Sequence, residues 1–91
     1  MASPILNSVD DSATSVELCA ARPIGRLGLW VFNDSSEILY IGLGVTPTTT
    51  SFNVKVAAGG FWEHPFPITG AAANGIWANN SSGAARVTEV I

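Results

Sequence analysis

The sequence predicts an all-β chain: a single compact β-sandwich or a jelly-roll or barrel-like domain of about seven short antiparallel strands, with an extended N-terminal arm. Three observations carry that expectation. Short runs of β-branched and aromatic residues alternate with period two, as in Ser51-Phe52-Asn53-Val54-Lys55-Val56. Clusters of Gly, Pro, Asn, Asp and Ser interrupt them about every 8 to 12 residues. No segment longer than about two turns satisfies a period of 3.6, so no helix is expected.

Residues 1–13 mix Pro, Ser, Asn and two Asp without periodicity and read as an arm that a neighbouring subunit would hold, which leaves 14–91 as the β-sandwich domain. Val16, Leu18 and Ala20 alternate with Ser15, Glu17 and Cys19 in a half-exposed strand that ends at Arg22-Pro23, where proline removes a ladder donor. The strongest strand signal follows, Arg26 to Asn33 and Glu37 to Leu43 around Asp34-Ser35-Ser36, and reads as a β-hairpin. Alternation places Leu27, Leu29 and Val31 with Leu39 and Ile41 in the core. Trp30, Phe32, Ile38 and Tyr40 then form a second apolar face, which needs a cover of its own. After a Thr-rich loop, Phe52, Val54 and Val56 point inward from an amphipathic strand, and Ala57-Ala58-Gly59-Gly60 reads as a tight hairpin turn. Phe61 to His64 is a short strand stopped by Pro65-Phe66-Pro67, Ile76-Trp77-Ala78 is another, and residues 84–91 close the chain by alternation.

At 91 residues one domain is expected, with little interior to spare. Hydrophobic residues make up 47% and charged residues only 12%, about half the usual charged share, which favours burial against other subunits. The net charge is -3, and the four basic residues Arg22, Arg26, Lys55 and Arg86 are scattered, which argues against nucleic acid as partner. No apolar run approaches the roughly 20 residues of a membrane helix, and Met1 to Asn7 lacks the basic and apolar regions of a secretory signal. The single Cys19 excludes an intramolecular disulfide and fits an intracellular folding environment.

No enzyme constellation emerges, so neither catalytic, cofactor-binding nor metal-binding residues are expected. His64 is the only histidine, and its neighbour Glu63 points to the opposite face of a strand, so the two do not chelate together. Cys19 has only Arg22 nearby to activate it, and reads as a small buried hydrophobe. The aromatics Trp30, Trp62, Trp77, Phe61, Phe66 and Tyr40 divide between core or subunit interface and a surface that could stack on sugar. The polar stretches 46–51 and 79–82 read as solvated turns.

In order, Arg26, Gly28, Leu29, Asn33 and Ser35, then Leu39-Tyr40-Ile41-Gly42, Val54 to Gly59, Trp62-Glu63 with Pro65, Ile68 with Gly70, Ile76-Trp77, and Gly83 with Arg86-Val87-Thr88-Glu89, form a pattern. It resembles that of small virion structural proteins of tailed bacteriophages, across roughly residues 16 to 90. It departs where those proteins often carry Asn-Pro and this chain has Arg22-Pro23-Ile24-Gly25. The resemblance implies a non-enzymatic, capsid-associated role, such as a decoration or cement protein, and supplies no catalytic residues.

The combined expectation is a protein made in the host bacterial cytoplasm and located on the capsid surface of the virion. There it would bind the major capsid protein or other virion proteins as a symmetric homo-oligomer, with a trimer as first guess. Trp30, Phe32, Ile38, Tyr40, Trp62 and Phe66 are the expected interface residues. The alternatives are a receptor- or glycan-binding module of a tail or fibre, and a neck or connector component.

Overall fold

A computed structural model describes residues 2–91; Met1, the first residue of the expected arm, lies outside them. Eight strands form: β1 (Pro4–Asp10), β2 (Val16–Cys19), β3 (Gly28–Asp34), β4 (Leu39–Leu43), β5 (Val54–Val56), β6 (Phe61–Glu63), β7 (Ala73–Trp77) and β8 (Ala84–Val90). They build two antiparallel sheets, sheet A in the order β1-β8-β3-β6 and sheet B in the order β2-β7-β4-β5. Every connection but β4 to β5 switches sheets, and this eight-strand order is that of a jelly roll.

Three expectations are corrected. The N-terminal segment is not a free arm: β1 pairs with β8 over its whole length, from Pro4 opposite Val90 to Asp10 opposite Ala84. Its lack of alternation has a physical cause, because an edge strand with exposed side chains is held by its backbone ladder rather than by burial. Second, β3 and β4 are not a hairpin. They lie in opposite sheets, and the turn between them carries the chain across the core. Third, Ala57 to Gly60 is likewise a crossing between sheets rather than a tight hairpin, although Gly59 does take the positive φ (71°) foreseen for such a turn.

Asn33 explains why β3 crosses instead of turning back. It faces the core, fully buried, and its Nδ2 donates to the carbonyls of Glu37, Val56 and Ala57. Its Oδ1 accepts from Ser35 Oγ at 2.9 Å and from the Trp77 indole Nε1 at 3.1 Å. One amide thus ties the β3–β4 corner to β5 and to β7, where backbone groups would otherwise lack partners.

The core joins Leu18, Leu39, Ile41, Val56, Ala73 and Trp77 from sheet B to Leu29, Val31, Ala85 and Val87 from sheet A. Trp77 is its largest fully buried side chain. Gly75 makes room here, since a Cβ would come within 2.9 Å of Leu18 Cδ1. Leu29, Val31, Leu39 and Ile41 occupy the core as their alternation requires, but Leu27 is 60% exposed. The reason is one position upstream: the Arg26 side chain turns inward, and regular strand geometry starts only at Gly28.

Candidate functional site

Cross-strand register defines the outer face of sheet A. Because Leu29, Val31, Ala85 and Val87 point inward, their neighbours point out. One row then runs Phe61, Phe32, Arg86, Ser8 from β6 to β1, and the next runs Glu63, Trp30, Thr88, Leu6; Val90 lies opposite Gly28 and Pro4 beyond them. Phe61 is 59% exposed, Phe32 38% and Leu6 72%, while Trp30 is half-buried. Arg86 pairs with Asp34 at 3.1 Å, both about half exposed, and a surface pair of this kind contributes little to stability. Phe61, Phe32 and Trp30 thus form an apolar group on β6 and β3, bordered by Glu63 on β6 and by Arg86 and Thr88 on β8, with Leu6 beyond on β1.

The outer face of sheet B differs. Tyr40 lies between Ile76 and Lys55, and the next row joins Gly42, Asn74 and Glu17. Phe52, expected to point inward, lies before β5 begins and instead covers Tyr40 on this outer face with ring centroids 4.9 Å apart, so this aromatic already has an intramolecular cover.

The six expected interface residues are accordingly dispersed. Trp30 and Phe32 share the outer face of sheet A, whereas Tyr40 lies on the opposite side of the sandwich. Ile38 is half-buried at the corner before β4, where its carbonyl accepts from Ala78 N. Trp62, opposite Val31, turns inward, packs against the core and lies 5.5 Å from the His64 ring. Phe66 is 91% exposed on the loop after β6. A single face of Trp30, Phe32, Ile38 and Tyr40 does not form, because it presupposed that β3 and β4 share a sheet. Leu6 and Val90 join the face unforeseen. Val90 was legible from alternation in β8, but Leu6 was hidden by reading its segment as an arm.

The buried polar groups hold the end of the sandwich where β3 begins. Arg26 is 8% exposed and its five N–H donors all find acceptors. Nε donates to Glu89 Oε2 at 2.9 Å, Nη1 to the carbonyls of Thr69 and Ala71, and Nη2 to the Ala20 carbonyl and Cys19 Sγ. Arg22 adds a second guanidinium to Glu89, with Nε 3.0 Å from Oε2. Burial on its own would raise the Glu89 carboxyl, but the hydrogen bonds from Arg22 and Arg26, with their charges, outweigh it and hold the group below its ordinary value. Burial and the nearby Glu89 charge push the Cys19 thiol up. His64 is buried with Nδ1 against the Pro65 carbonyl and Nε2 against Thr69 Oγ1, so both ring nitrogens are engaged. Among the described residues no group of three or more His, Cys, Asp or Glu is placed to hold a metal ion.

Two clefts open on the surface. One, of about 250 Å³, lies at the edge between β1 and β2 and is lined by Ile5, Leu6, Asn7, Leu18, Cys19 and Val87 among others. The other, of about 350 Å³, is polar and lies between Asp10, Asp11 and residues 80–83. No family model, no curated protein and no solved structure matches the chain.

Proposed function

We propose that the chain is a non-enzymatic virion structural protein of a tailed bacteriophage, a decoration or cement protein that docks the outer face of sheet A on the head shell. The observation that carries the docking is the apolar group of Phe61 on β6 with Phe32 and Trp30 on β3, extended at the far side of β8 by the exposed Leu6 of β1. An apolar patch of this kind on a chain with 12% charged residues favours a protein partner. The resemblance of its sequence pattern to small virion proteins supplies the partner class, the major capsid protein or another shell component. Jelly rolls recur in viral capsid domains, a fold-level analogy that agrees with this reading and does not carry it. The mechanism is linkage: a protein that binds the assembled shell and not its dissociated subunits stabilises the shell by mass action, by about 2.7 kcal/mol per site at a hundredfold excess over Kd.

One observation favours a second reading. Phe66, 91% exposed between two prolines, presents a ring able to stack on a sugar, as a receptor-binding module of a tail or fibre would require. Head shells of the source phage, stripped of this chain and then titrated with it, separate the two. The cement role predicts saturable binding and a higher shell melting temperature. Unchanged shells together with saturable quenching of tryptophan fluorescence by cell-surface glycan would replace it with the receptor role.

A further inference from the structure

The edge of β1 away from β8 is free, and it is distinct from the face proposed to dock on a shell. Ser3 N–H donates to the Ile91 carbonyl at 2.7 Å and Ile91 N–H returns a bond to Ser3 at 3.0 Å, while Asp11 N–H donates to Gly83. Antiparallel ladders alternate, so residues 3, 5, 7, 9 and 11 turn their backbone groups toward β8. Leu6, Ser8 and Asp10 therefore turn N–H and C=O away from it, and Pro4 turns its C=O. Among the described residues no backbone partner stands against these groups.

The other three edges are blunted. The strands β5 and β6 have three residues each, and β2 has four with a register irregularity between Glu17 and Cys19. By contrast β1 presents seven residues in unbroken register, with no charge before Asp10. Long regular edges of this kind template pairing with another chain. The apolar cleft lined by Ile5, Asn7, Leu18 and Val87 opens beside the same edge.

We infer that β1 pairs antiparallel with β1 of a second copy of this chain about a two-fold axis at Asn7, joining two A sheets into one. In that register Leu6 and Ser8 of each copy exchange both backbone bonds with Ser8 and Leu6 of the other, and Asp10 N–H reaches the Pro4 carbonyl. Pro4, which has no N–H to give, falls where only its acceptor is needed. The charges agree with this occupant: Asp10 and Asp11 of one copy lie opposite Pro4 and Ser3, at the far end from those of the other, so no like charges meet. Ile5 pairs with Val9 on the inner side, at the cleft. The contact is isologous and gives a dimer by itself, or links oligomers related by two-fold axes if the face of sheet A builds a higher symmetry.

The 91-residue chain carrying Cys19→Ser tests the register. Asn7→Cys places two thiols opposite each other at a non-hydrogen-bonded site, where Cα atoms lie about 4.5 Å apart, within disulfide range. Mild oxidation is expected to yield a covalent dimer, whereas Ile5→Cys alone yields little and a mixture of Ile5→Cys with Val9→Cys yields the heterodimer. Ser8→Pro removes an N–H that faces away from β8; it is expected to leave circular dichroism intact and reduce the light-scattering mass of the wild-type dimer to monomer. Trp30→Asp, on the separate face, leaves the covalent dimer forming. A wild-type chain that is monomeric at high micromolar concentration, or a covalent dimer no more abundant with Asn7→Cys than with Ile5→Cys, overturns the pairing without touching the proposed shell role.

Discussion

Replacing Arg26 with Ala is expected to destabilise the fold by about 3–5 kcal/mol, the cost of removing the buried member of the Glu89 ion pair together with the donor to three carbonyls. Arg26 is the side chain with most to lose. Its removal leaves Glu89 buried with only Arg22, whose side chain is 38% exposed, and it deprives the carbonyls of Ala20, Thr69 and Ala71 of their donor. Urea denaturation of wild type and variant measures the loss. The pH dependence gives the same interaction a second signature. Glu89 titrates below its ordinary range in the folded state, so the unfolded chain binds the proton more readily. Its stabilisation is fully present above the unfolded carboxylate value of about 4.3 and is lost as pH falls through the lower folded one. Wild-type melting temperature should therefore drop on acidification below about pH 4, and Arg26→Ala should flatten that limb. An acid limb of equal depth in the variant would assign it to other carboxylates.

Substituting Trp30 with Asp is expected to weaken the proposed shell docking at least 30-fold while the domain stays folded. Trp30 stands in the middle of the outer face of sheet A, between Glu63 and Thr88 in its row and next to Phe32 along β3. Truncating a central aromatic anchor of an interface costs about 2 kcal/mol or more, and a buried carboxylate adds to that. In the free domain the side chain faces outward, so the substitution costs about 1 kcal/mol through strand preference and lowers the melting temperature by roughly 4–8 °C. Tyr40→Asp is the matched control on sheet B, and should leave docking intact. Loss of the near-native circular dichroism spectrum in Trp30→Asp would make that face part of the core, and equal loss of docking in Tyr40→Asp would move the contact to the other side.

How much of this was legible in the sequence depends on which forces write a local pattern. Burial on one face of a strand does, and Leu29, Val31, Leu39 and Ile41 were placed from alternation alone, as was the all-β class. Pairing between strands does not. The stretch from Arg26 to Leu43 has the composition of a hairpin, yet the decision to cross the core rests on the Asn33 amide and on Trp77, 44 residues later in the chain, whose indole it accepts. A short Asn-Asp-Ser cluster looks the same in both cases. The candidate interface divided for this reason, with Trp30 and Phe32 on one side of the sandwich and Tyr40 on the other. The segment of β1 was missed because its ladder uses backbone groups, and seven side chains with almost no burial leave no period to read. Arg26 was noticed only as part of a pattern; nothing near it in sequence announces that its partner is Glu89, 63 positions away.

The central claim, a shell-bound structural role, is tested most directly by counting the chain, by quantitative mass spectrometry against the major capsid protein, in gradient-purified particles of a phage that encodes it. A decoration or cement protein occupies lattice sites, so the count should reach hundreds of copies per particle, in a fixed ratio to the capsid subunit. Six or twelve copies would place it in a neck or connector ring, and absence from the particle would contradict the virion role altogether.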